Sequence, residues 1–210
     1  MTNRTDPAFW GLPAPEGAWA YTPELLRALQ AAAVMHGAQL RKESGIPYLS
    51  HLLGTCSIVL DHGGSEEEAI AALLHDSLED VRPAALVRPV VEGFGSLVLH
   101  IVEACTDGEP DEDGVKEDWR VRKERYIDHV RTACGPALLV SAADKLHNAR
   151  SIVADVRRDG RGIFGKFKKG RDDTLWYYEH LVEAFRENPA SNDALVDELA
   201  RTVGEMRVLP

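Results

Sequence analysis

Four ionisable side chains, His75, Asp76, Glu79 and Asp80, crowd into six residues within Ala71–Val81. Leu73, Leu74 and Leu78 recur beside them at helical spacing, so one segment offers an apolar stripe to a core and a charged stripe to something else. Clustered charge at the edge of a core is costly unless a multiply charged partner compensates it. A divalent cation is the simplest such partner. Two more residues of ligand type have comparable settings: His51 in the first turn of an expected helix, and Asp144 in the apolar run Ala137–Ala154. A mononuclear hydrolytic centre needs three or four nitrogen or oxygen ligands and one open position for water. Imidazole and carboxylate suit Mn²⁺, Fe²⁺, Zn²⁺ or Co²⁺, and the lack of nearby cysteine argues against a closed structural zinc site. Asp144, His147, Asn148 and Ser151 lie three and four residues apart, so a metal ligand and a ribose or phosphate contact would share one helix face. Taken singly, His51 could be a capping residue and Asp144 a buried acid paired with Lys145 or an arginine.

The elements that must position these residues read as helices. Thr22, Pro23 and Glu24 form a helix start, and Leu25, Leu29, Ala32, His36 and Leu40 continue the pattern to a break at Gly45 and Pro47. His36 then falls on the buried face, where it could hydrogen-bond to a metal ligand. The following loop carries Arg41, Lys42, Ser44 and Tyr48. A second helix spans about Ser50–Asp61. Ser65 and Glu68 make a capping box for a third that ends in the His75-Asp76 cluster. Further helices are expected near 83–92, 96–105, 117–133, 137–154, 172–187 and 192–206. Residues 1–21, with Phe9, Trp10, Trp19 and Tyr21 among prolines and glycines, read as an extended arm on the domain. Asp107–Asp118 reads as a solvated acidic loop. Arg157–Arg171 reads as a solvated basic face or an anion-holding flap, and Trp176-Tyr177-Tyr178 as core and packing surface. No alternating strand pattern occurs. The expected fold is all-α, a bundle of roughly 8–10 helices. Its organisation is an arm at 1–21, a core at 22–156, and a basic segment with C-terminal helices at 157–210 packed on the same domain.

Composition bounds the function. At 210 residues, 44% hydrophobic and 28% charged, the chain has the make-up of a soluble globular domain. No apolar run approaches the roughly 18 residues needed to cross a membrane, and the N-terminus has no export signal. Cys56, Cys105 and Cys134 are odd in number and far apart, and read as reduced core residues of a cytoplasmic protein. A net charge of −10 argues against nucleic-acid binding, which depends on neutralising phosphates. A small anionic nucleotide remains compatible because basic residues cluster locally, and a homo-oligomer is left open.

The order His51, His75-Asp76, Asp144 resembles that of the HD metal-dependent phosphohydrolases. Three blocks narrow the resemblance to the Rel/Spo guanosine-tetraphosphate hydrolase domain: His36–Arg41-Lys42 with Gly45–His51, Leu74–Asp80, and Ala143–Arg150. Lacking a synthetase or regulatory domain, the chain is similar to the stand-alone small alarmone hydrolases. The resemblance implies that His51, His75, Asp76 and Asp144 bind one Mn²⁺ and that Glu79 and Asp80 orient or deprotonate the attacking water. It implies substrate contacts from Arg41, Lys42 and Ser44 and from Lys145, Asn148 and Arg150. The implied reaction removes the 3′-pyrophosphate of (p)ppGpp, giving GDP or GTP. A related HD enzyme acting on a dNTP or NADPH, or an idle nucleotide-binding regulator, is the alternative reading. Glu43, Leu52 and Ser141 depart from the family pattern.

Overall fold

Thr22 caps the first helix, its hydroxyl accepting the Glu24 N–H at 3.1 Å with Pro23 in the first turn. The computed structural model describes residues 22–41, 44–108, 117–166 and 169–209. The arm at 1–21, Lys42, Glu43 and most of the acidic loop lie outside the described residues. The described chain is all-α, with ten α-helices and one 3₁₀ turn at Arg161–Lys166. In order they are α1 Pro23–Met35, α2 Leu49–Asp61, α3 Glu66–Leu74, α4 Ser77–Asp80 and α5 Ala84–Glu92. There follow α6 Ser96–Cys105, α7 Trp119–Val130, α8 Gly135–Asp159, α9 Gly170–Glu187 and α10 Asp193–Val208. No described helix is long and apolar enough to cross a membrane.

Helix α8 is the central rod: α2, α3 and α6 pack along it, α10 packs on it, and α9 bridges to α7. Its residues Val140, Ala143, Leu146 and Ala149 are fully buried, facing Leu52, Leu74, Ile101 and Leu199 in one continuous core. The helix outruns the expected end at Ala154 because Val156 stays buried, and it stops at Gly160, whose φ of +75° suits only glycine comfortably.

A second helix boundary differs from expectation. Helix α1 ends at Met35, ten residues short of Gly45. The Gln39 N–H bonds the His36 carbonyl, and the chain then doubles back through an antiparallel bridge between Leu40 and Pro47. Within that neck the Arg41 N–H donates to the Ile46 carbonyl and the Gly45 N–H to the Arg41 carbonyl, both at 2.8 Å, with Gly45 at φ +70°. The third helix ends at Leu74 with His75 as its cap, at the cluster where the sequence has it end, and the short α4 follows. The Ser77 hydroxyl donates to the Leu74 carbonyl at 2.6 Å and the His75 Nδ1–H to the Ala72 carbonyl at 2.8 Å. Side chains thus take carbonyls that backbone N–H groups would need.

Three surface readings also change. The Asp107 side chain is largely covered and pairs with Arg122 and Lys123, so this end of the acidic loop is anchored rather than solvated. Cys56 and Cys105 are buried, but Cys134 is exposed at the cap of α8, 3.4 Å from His100 Nε2. Described members of the basic run bond within the molecule: Arg157 to Glu205, Arg158 to Asp155 and Asp159, and Arg171 to the Arg207 carbonyl.

Candidate active site

Three elements converge at one point. Helix α2 brings His51, the broken turn between α3 and α4 brings His75 and Asp76, and α8 brings Asp144. In a continuous helix adjacent side chains diverge by about 100°. The break lets His75 Nε2 and Asp76 Oδ2 face each other at 3.0 Å. His51 Nε2 lies 3.3 Å from His75 Nε2, 3.5 Å from Asp76 Oδ2 and 3.2 Å from Asp144 Oδ1, and His75 Nε2 lies 3.6 Å from Asp144 Oδ1. Ligand atoms about 2.1 Å from a shared ion are separated by about 3.0 Å at right angles and about 3.4 Å at tetrahedral angles. The observed separations, 3.0–3.6 Å, lie within or about 0.2 Å beyond that range, so the donor set fits a divalent cation. His51, His75 and Asp76 present ligand atoms all within 4.8 Å of one another. His51, His75 and Asp144 are buried, and Asp76 is partly so.

The surroundings hold the carboxylates ionised. Burial works against the charge on Asp144, but Lys145, with Nζ 2.6 Å from Oδ2, and the two histidines hold its pKa well below the usual range. Burial likewise opposes ionisation of Asp76, and His75 and His51 outweigh it. His75 is pushed well above the ordinary histidine value by Asp76 and Asp144 despite its burial. The Tyr48 hydroxyl donates to Asp76 Oδ2 at 2.6 Å, and burial and that carboxylate raise its own pKa. On α8, Asn148 Nδ2 donates to Asp144 Oδ1 at 2.6 Å and Asn148 Oδ1 accepts from Arg41 Nη2 at 2.8 Å.

Glu79 and Asp80 line a 250 Å³ cavity with Asp76, Gln39, Arg41, Tyr48 and Asn148. The acidic pair expected to act on water is therefore beside the ligand cluster. Asp80 Oδ2 accepts from Gln39 Nε2 at 2.8 Å, and Gln39 Oε1 accepts from His36 Nδ1 at 2.7 Å. His36 touches Gln39 and stacks on Tyr48 with centroids 5.4 Å apart, so it braces site residues instead of bonding a ligand as expected.

Arg41 and Asn148 also line a second cavity, of 220 Å³, between α7, α8 and α9. Its wall adds Trp119, Lys123, Ser151, Asp155, Tyr177 and Tyr178. The 2.8 Å Arg41–Asn148 bond stands between the two spaces. Of the substrate contacts expected from the sequence, Arg41 and Asn148 face both cavities, and Lys145 is engaged with Asp144. Ser44 sits in the turn after Arg41. Arg150 is directed elsewhere, paired with Glu198 on α10. Lys42 lies outside the described residues.

Sequence reasoning missed the wall built by Trp119, Lys123 and Tyr177, because only the packing of α7 on α9 brings those residues to α8. His147 was visible on the Asp144 face without a role. In the structure its Nδ1 lies 2.8 Å from His51 Nδ1, and burial, His51 and Arg41 lower its pKa to about 4.

Known proteins are similar in sequence and fold. Residues 28–175 match the model of the HD domain. The Xenopus tropicalis guanosine-3′,5′-bis(diphosphate) 3′-pyrophosphohydrolase MESH1 is 36% identical over 131 residues, 61% of this chain and 69% of that protein. An Aquifex aeolicus guanosine-3′,5′-bis(diphosphate) 3′-pyrophosphohydrolase is 38% identical over 160 residues, 75% of this chain but 18% of its own length. A solved structure described as a metazoan ortholog of SpoT that hydrolyzes ppGpp superposes with a TM-score of 0.72 at 26% identity, covering 92% of this chain and all of that one. With the family model spanning most of its length and the ligand set gathered as described, this chain belongs to the HD-domain family.

Proposed function

We propose that the protein is a metal-dependent hydrolase that removes the 3′-pyrophosphate of (p)ppGpp, acting in the cytoplasm with Mn²⁺ as its cation. The observation that carries this reading is the convergence of His51, His75, Asp76 and Asp144 beside Glu79 and Asp80. The activity named for relatives of 34–36% identity supports the substrate. His51, His75, Asp76 and Asp144 would hold the divalent ion, which would polarise a phosphoryl oxygen and lower the pKa of water from about 16 toward roughly 7.

The chain's own groups do the rest. Lys145 neutralises one oxygen of Asp144, leaving the other turned to the histidines. Glu79 takes the proton of the attacking water, and Asp80, fixed by Gln39, orients that water. Arg41 leaves Asn148 to fork onto phosphate or stack on a base, which lysine cannot do. The nucleoside then occupies the space walled by Trp119, Lys123 and Tyr177. Arg150 has no part in this arrangement.

Purified protein with Mn²⁺ should release pyrophosphate from ppGpp, and His75→Ala or Asp144→Ala should abolish release. A wild type that ignores ppGpp yet cleaves a dNTP or NADPH keeps the chemistry and overturns the substrate.

A further inference from the structure

One ring joins the ligand cluster to the wall of the substrate cavities. His51 turns Nε2 toward Asp76, Asp144 and His75, so the lone pair available to a cation is on Nε2 and the proton belongs on Nδ1. That Nδ1 lies 2.8 Å from His147 Nδ1. Two imidazole nitrogens this close need one donor and one acceptor, so His147 accepts through Nδ1 and carries its own proton on Nε2. Arg41 Nη1 lies 3.3 Å from the same His147 Nδ1, and a guanidinium can only donate. A single acceptor atom therefore receives both a metal-ligand histidine and the arginine of the cavity wall.

The backbone makes room for this. His147 stands three residues after Asp144 on α8, and its ring lies against α2 at Gly54, three residues after His51. A Cβ at position 54 would come within 2.2 Å of His147 Cδ2 and Nε2. Real Cβ atoms do not approach that closely, so any side chain there must push the ring aside. Glycine at 54 is what allows the two imidazoles to meet.

We propose that His147 is a positioning residue. It holds His51 with Nε2 bare toward the cation and holds Arg41 at the cavity wall, coupling cation affinity to substrate affinity. The proposal rests on the metal-site reading above, and the partners a metal-bound histidine takes through its second nitrogen commonly change affinity 10–100-fold.

The test is calorimetric titration of chelator-treated protein with Mn²⁺, with far-UV circular dichroism to confirm the fold. His147→Phe, which keeps a ring but loses the acceptor, should weaken Mn²⁺ binding about tenfold or more. His147→Asn, whose amide oxygen can stand near Nδ1, should return the affinity to within about threefold of wild type. Gly54→Ala leaves His147 in place chemically but displaces its ring, and should weaken Mn²⁺ binding in the same direction. In His147→Phe, KM should rise while kcat at saturating Mn²⁺ stays within about threefold, because neither reacting group is altered. If folded His147→Phe and Gly54→Ala bind Mn²⁺ within twofold of wild type, the coupling is wrong. If wild type binds no Mn²⁺, the metal-site reading and this proposal fall together. Rescue by His147→Asn separates an acceptor role from mere packing, and a failure of rescue in a folded variant overturns the proposal.

Discussion

Lys145 and Asn148 divide the two oxygens of Asp144 between them, one ion-paired and one hydrogen-bonded beside the histidines. This residue has few alternatives, and Asp144→Asn should lose stoichiometric Mn²⁺ in a metal analysis while remaining helical. Glu79 is different: it lines the cavity without joining the ligand cluster. Glu79→Gln should keep one equivalent of Mn²⁺ yet lower kcat roughly 10²–10⁴-fold, the usual contribution of a general base. A third residue-scale expectation concerns Asp107, whose pKa is held down, against burial, by Lys123, Lys145 and Arg122. A folded pKa below the unfolded one gives stability that is complete above the unfolded value, near 4, and is lost as pH falls through the folded value. Asp107→Asn should therefore cost roughly 3 kcal/mol at neutral pH. In urea titrations run at several pH values, the gap between wild type and variant should narrow only below about pH 4. The gathering of His51, His75, Asp76 and Asp144 beside Glu79 and Asp80 was legible in the sequence because such residue types are costly in such settings. The Asp107 pairing was not, because an acid in an acidic stretch gives no sign that two cations fifteen and sixteen residues further on, in α7, will fold back onto it.

At the scale of elements, local signals were read well and long-range ones poorly. The Ser65–Glu68 box forms as the sequence indicates, with Ser65 N–H to Glu68 Oε2 at 2.6 Å and Glu68 N–H to Ser65 Oγ at 3.2 Å. Ser65→Ala should lower stability by about 1 kcal/mol, measurable as a shifted urea midpoint at unchanged slope. The starts of α2, α5 and α6 likewise follow from their turn residues. The end of α1 does not, because Leu40 keeps the helical spacing although it pairs with Pro47 across a loop neck. The break after Leu74 falls where the third helix was expected to end. The Ser77 and His75 side-chain bonds to backbone carbonyls close that helix, and α4 starts beyond them.

Across the whole molecule, the all-α architecture was legible because helical spacing recurs from α1 to α10 and no alternating segment competes. The second cavity was not, since Trp119, Tyr177 and Asn148 meet only once α7, α8 and α9 have packed. Cation binding should be felt by the entire fold. Mn²⁺ at about a hundred times its Kd should add about 2.7 kcal/mol of stability, raising Tm by roughly 5–10 °C in a thermal melt, and chelator should reverse the shift. Truncating Phe185, fully buried in α9, to alanine should cost about 3–5 kcal/mol by denaturant unfolding. The placement of Asp144, Lys145, His147 and Asn148 on α8 has a further outcome. The backbone that carries them is walled in by α2, α3, α6 and α10, so it has no private route to opening. Its amides should exchange with deuterated solvent at the slow rate of complete unfolding, and heat inactivation should coincide with loss of the fold instead of preceding it.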